Sequence, residues 1–92
     1  RLLAGALFSE FVEKIPLDQP DWLSSLHVAL RQNGRAELNL PREQLNLLHQ
    51  VITTVQLEPV DYLGLLLYPR LGEVRREQDK LILRIELAEM VQ

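Results

Sequence analysis

Apolar positions along this chain recur mostly three and four residues apart, and that period predicts helices. In residues 2–15, LLAGALFSEFVEKI, Leu3, Leu7, Phe11 and Ile15 stand four apart, with Phe8 and Val12 beside them. The spacing predicts an amphipathic helix that Pro16 ends. A second stripe of Leu23, Leu26 and Leu30, edged by Trp22 and Ala29, predicts a helix from Asp21 to Gln32. Pro20-Asp21 opens it, and Asn33-Gly34 closes it with residues suited to a left-handed cap. The next piece, RAELNL, alternates: Ala36, Leu38 and Leu40 face one way, Glu37 and Asn39 the other. Period two predicts a short strand or extended connector there. Pro41 then opens a third helix, to Gln56, on the stripe Leu45, Leu48, Ile52 and Val55. Its last turn is weak, because Thr53, Thr54 and Val55 are β-branched.

The stretch from Leu57 to Leu71, LEPVDYLGLLLYPRL, is the most apolar part of the chain. Pro59 suits a first helical position, Asp61 places an anion in the first turn, and Pro69 ends the run. Leu63, Leu65, Leu66 and Leu67 then point to every side of a short helix. Such a helix has to be buried, so it is expected at the centre of the core with Leu66 inside. The tail from Glu73 to Gln92 fits two periods. As a helix, Leu71, Val74, Gln78, Leu81, Ile85 and Ala88 alternate by three and four. Arg75 and Asp79, Glu73 and Arg76, and Glu77 and Lys80 then pair across one turn. As a strand, Leu81, Leu83, Ile85 and Leu87 alternate with Ile82, Arg84 and Glu86. Length and helix-forming flanks favour the helix. The expected fold is therefore all-α, a compact bundle or orthogonal array of four to five helices. One short β-pair, 36–40 with 81–87, is its variant.

Composition narrows the class further. Ninety-two residues with 47% hydrophobic and 25% charged side chains make one globular domain. The opening on Arg1 and the close on LAEMVQ, without a stop signal, read as a piece of a longer chain. A net charge of −3 does not favour nucleic acid. The absence of cysteine removes disulfides and thiolate metal sites and fits an intracellular, cytoplasmic setting. No apolar run approaches the roughly 20 residues of a membrane span.

Candidate chemistry is thin. His27 and His49 are the only histidines, each at the edge of an apolar stripe, and no HxxxH or HExxH spacing is present. Ser9, Ser24 and Ser25 fall inside expected helices without a nucleophile elbow. The four glycines stand apart, so no phosphate loop exists. Residues 45–71 have the outline of an EF-hand, with Val60 at the inward position of the loop. That alignment puts Thr53, Val55 and Leu57 at the first three ligand positions. Glu58 falls where glycine is needed and Gly64 where the bidentate glutamate belongs. No calcium site results. Arg70, Arg75, Arg76, Lys80 and Arg84 recur at helical spacing, but Glu73, Glu77, Asp79, Glu86 and Glu89 balance them.

No enzyme, cofactor or metal site is thus expected. What remains is a non-catalytic protein–protein interaction or assembly module within a larger intracellular protein. Its partner would be another protein, or a second copy, met through an apolar helix face. On a helical tail, Leu81, Ile85 and Ala88 would face the core, and Leu83, Leu87 and Met90 would bind the partner. The alternative is a small regulatory or ligand-binding helical domain, including an EF-hand-like one without calcium.

Overall fold

A computed structural model describes residues 12–89, and strands hold more of them than helices do. The elements in order are β1 (Glu13–Pro16), α1 (Trp22–Asn33), β2 (Arg35–Pro41), a 3₁₀ turn (Arg42–Leu47) and α2 (Leu48–Val55). They are followed by β3 (Val60–Tyr62), β4 (Leu65–Glu77) and β5 (Lys80–Ala88). The strands form one five-stranded sheet in the order β1-β2-β5-β4-β3. β1 and β2 are parallel, joined through α1, and every other neighbouring pair is antiparallel. The sheet curls into a half-barrel.

The all-α expectation is therefore overturned. Residues 36–40 do pair with 81–87, Ala36 opposite Ile85 and Leu40 opposite Leu81, but this pair is the middle of the sheet. The expected first helix gives way at its end to β1, while residues 2–11 lie outside the described residues. The second helix forms close to its expected bounds. Gly34 closes it at φ 79, donating its N–H to the Leu30 carbonyl at 2.9 Å. The third splits into the 3₁₀ turn and α2. The leucine-rich helix and the helical tail do not exist, and with them goes the EF-hand-like alternative. Residues 57–71 hold a loop, the β3–β4 hairpin and the start of β4, and the tail completes β4 and forms β5.

Both helices pack on one face of the sheet. Leu26, Ala29 and Leu30 of α1 and Val51 and Val55 of α2 share a buried cluster with Ile15, Ala36, Leu38, Leu40, Leu83 and Ile85. Successive strand residues point to opposite faces, so these sheet positions are alternate ones. Pro69 is fully buried within β4. It comes just after Leu65–Leu67, the part of β4 that β3 covers, where β4 becomes the edge of the sheet and proline is tolerated. A register shift at Leu71/Glu73 places Gly72 at a bulge. A Cβ there would lie 2.7 Å from the Glu86 carboxylate carbon, so a larger residue would have to displace the end of that side chain.

Candidate functional site

The β3–β4 hairpin is where the chain departs most from what folding alone requires. Val60, Asp61 and Tyr62 pair with Leu67, Leu66 and Leu65, and Leu63-Gly64 is the two-residue connection. Both turn residues have positive φ, 54° at Leu63 and 84° at Gly64. Such turns match the twist of a hairpin but favour asparagine, aspartate or glycine at the first position. Here that position is a leucine. The Gly64 N–H donates to Asp61 Oδ1 at 3.2 Å, holding the turn from its own strand. The base of the hairpin is anchored: Val60 is buried and Tyr62 packs against Gly34, whose absent Cβ would lie 3.2 Å from the ring.

Beyond that anchor the hairpin is apolar and bare. Leu63 is 82% exposed, Leu66 65% and Leu65 56%, and Leu57 in the preceding loop is 69% exposed. Register puts Leu65 on the face of Tyr62 and Leu66 on the face of Asp61, so leucine is presented on both faces and at the tip. β3 is also an edge strand of the sheet.

Opposite the core, the sheet carries a charge network. Glu37 of β2 is the one buried charged residue among those described, and its carboxylate takes a two-point grip from Arg75 of β4, at 2.9 and 3.4 Å. Arg75 reaches Glu37 across the intervening β5 and also donates to Glu77 Oε2 at 3.2 Å. Arg84 of β5 is directly opposite Glu37 in register, its Nε 4.0 Å from Glu37 Oε2 and its Nη1 3.7 Å from Glu73 Oε1. The Arg75 hydrogen bond, helped by the charges of Arg75, Arg84 and Lys14, holds the Glu37 carboxyl below its ordinary range despite burial. The Arg75 guanidinium is correspondingly held charged. The network ties β2 to β4 over β5. Its cations and carboxylates engage one another as a cross-strand clamp, although Arg84 Nε is buried without a hydrogen-bond partner among the described residues.

Of the expected partner-binding residues, the two that are described belong to the core side of β5. Leu83 is fully buried in the core, Leu87 is half-buried and packs against it, and Met90 lies outside the described residues. Among the described residues no group of three or more His, Asp or Glu side chains is placed to hold a metal ion. His27 is in α1 with Nδ1 4.0 Å from Glu58 Oε1, and His49 is exposed on α2. No described helix is long and apolar enough to cross a membrane. Sequence reasoning missed the hairpin, although D-Y-L-G carried its signal: an aspartate three residues before a glycine is a turn pattern as well as a helix start. Comparison with family models, curated proteins and solved structures gives no significant match.

Proposed function

We propose that this domain is a non-catalytic interaction module and that its β3–β4 hairpin is the element that meets a protein partner. The observation that supports this reading is Leu63. A non-glycine residue in the left-handed region costs on the order of 1 kcal/mol, and an exposed leucine forgoes the burial that its side chain would otherwise gain. Neither cost is repaid inside the fold, since the residue is 82% exposed. Leu57, Leu65 and Leu66 beside it turn a single exposed leucine into a patch, the usual mark of a contact surface. The open edge of β3 adds backbone groups to which a partner strand can pair. Assignment to a cytoplasmic assembly rests on the lack of cysteine.

The test is a triple variant, Leu63→Asn, Leu65→Thr and Leu66→Thr. Asparagine suits the turn and threonine suits an exposed strand position, so the unfolding midpoint should hold or rise. Any complex or oligomer that the native chain forms should dissociate, read as solution mass by sedimentation. A variant that unfolds, or a complex that survives it, removes the hairpin from the interface.

A further inference from the structure

A second surface stands apart from the hairpin, at the end of the sheet where β4 turns into β5. Arg42, Leu45, Arg76, Lys80 and Leu81 line an open cleft of about 250 Å³, with Gln78 and Asp79 of the turn. Register explains the convergence. Pro41, just before Arg42, is opposite Lys80, and Leu81 is flanked by Leu40 on one side and Arg76 on the other. Three cations and one carboxylate, 3 − 1 = +2, therefore meet in a chain whose net charge is −3.

The cations there are uncommitted. Among the described residues Arg75 and Arg84 make ion pairs on this sheet, whereas Arg42, Arg76 and Lys80 make none. Glu77, directly opposite Lys80, is engaged by Arg75 instead. Guanidinium groups match phosphate oxygens through paired N–H donors, which makes two arginines and a lysine a fit for a dianion. Leu45, 41% exposed, and the half-buried Leu81 add an apolar wall beside the charges. A free phosphate has no use for that wall. The volume lies below the range of drug-sized sites, which limits the apolar part to about one ring.

We propose that this cleft binds a small phosphate monoester, Arg42 and Arg76 taking the phosphate oxygens, Lys80 the rim, and Leu45 and Leu81 the apolar part of the ester group. The site is independent of the hairpin and of the interaction reading. Phenyl phosphate is the probe, titrated into the full chain at constant ionic strength and followed by amide NMR shifts, with inorganic phosphate and benzoate in parallel. Phenyl phosphate should bind saturably with shifts centred on residues 42–45 and 76–81, about tenfold tighter than either control. Arg76→Gln and Arg42→Gln should each weaken it about tenfold, the scale of one lost charge-assisted pair. Asp79→Asn should tighten it, since a carboxylate beside the anion is removed. Arg70→Gln, an exposed cation outside the cleft, should change nothing. Both arginines are exposed and make no ion pair in the fold, so an unchanged amide spectrum without ligand verifies each variant. Three results would overturn the proposal: no saturation by about 10 mM, equal affinity for phenyl and inorganic phosphate, or affinity untouched by both arginine changes.

Discussion

Leu66 and Leu83 are both leucines in strands of one sheet, and burial alone separates them. Leu83 is fully enclosed by core residues, so Leu83→Ala should destabilise by about 2–5 kcal/mol, transfer and cavity terms together. Leu66 is 65% exposed, and Leu66→Ala should stay within about 0.5 kcal/mol. Equilibrium denaturation of the two variants checks the pair, and a large loss at Leu66 would restore it to the core. Glu37 makes a different prediction. Its folded-state pKa is depressed below the ordinary 4.5, chiefly by the Arg75 hydrogen bond. The stability it contributes is therefore present above that ordinary value and is lost as pH falls through the depressed one. Glu37→Gln should cost about 1–2 kcal/mol at neutral pH, kept small because Arg75 retains partial contact with water. The gap from the native chain should narrow as pH drops below 4.5. A gap that stays constant down to acid unfolding would show that the carboxylate charge is irrelevant to the clamp.

Among the elements, β4 is the one whose parts do different work. Its first three residues pair with β3 in the bare hairpin, and the rest pair with β5 from Tyr68 to Glu77. The same charges that imitate a helix in the sequence act here across strands. Glu73 is opposite Arg84 and paired with it, while Glu77, though opposite Lys80 in register, is taken by Arg75. Arg75 and Glu77, two apart, are on one face of the strand and hydrogen-bonded. Among the described residues, none of the three pairs that the helical period suggested forms; the same charges pair along one strand face or across strands instead. The β4–β5 turn hides its signal, because Gln78 takes the positive φ of 53° that glycine or asparagine would advertise.

At the scale of the whole molecule, β2 and β5 lie inside the sheet and carry five of its fully buried side chains, Ala36, Leu38, Leu40, Leu83 and Ile85. The β3–β4 hairpin hangs from the far edge of the sheet, anchored by Val60 and Tyr62. Opening free energy should follow this gradient, since local stability tracks buried apolar contact and paired backbone. Native-state hydrogen exchange should find amides of Ala36–Leu40 and Leu81–Ile85 exchanging only on global unfolding. Amides of Asp61–Leu66 should exchange by local opening, at least about tenfold faster than those in the sheet centre. Uniform protection across both would mean that the hairpin is bound to something more than its own strand pair.

Local chemistry was enough to set some of this fold from the sequence. Asn33-Gly34 stops α1 because few other residues accept a left-handed cap, and the stripe of Leu26, Ala29 and Leu30 needs no partner to be recognised. The alternation in 36–40 likewise marks an extended segment, whereas 81–87 fits a helical period as well as period two, and only its pairing with β2 and β4 decides for the strand. The stretch from Leu57 to Leu71 is different. A run of leucines has no period, and prolines at both ends fit a helix start and stop as well as a loop and a strand edge. Only pairing with neighbours settles it: Leu65–Leu67 are extended beside β3 and the rest of β4 beside β5, and these strands supply the backbone hydrogen bonds. Tertiary structure alone also decided which leucines are core. Leu38 and Leu83 lie under the two helices, while Leu63, Leu65 and Leu66 lie beyond their reach. Hydrophobicity is a property of the residue, but burial depends on what the rest of the chain brings over it.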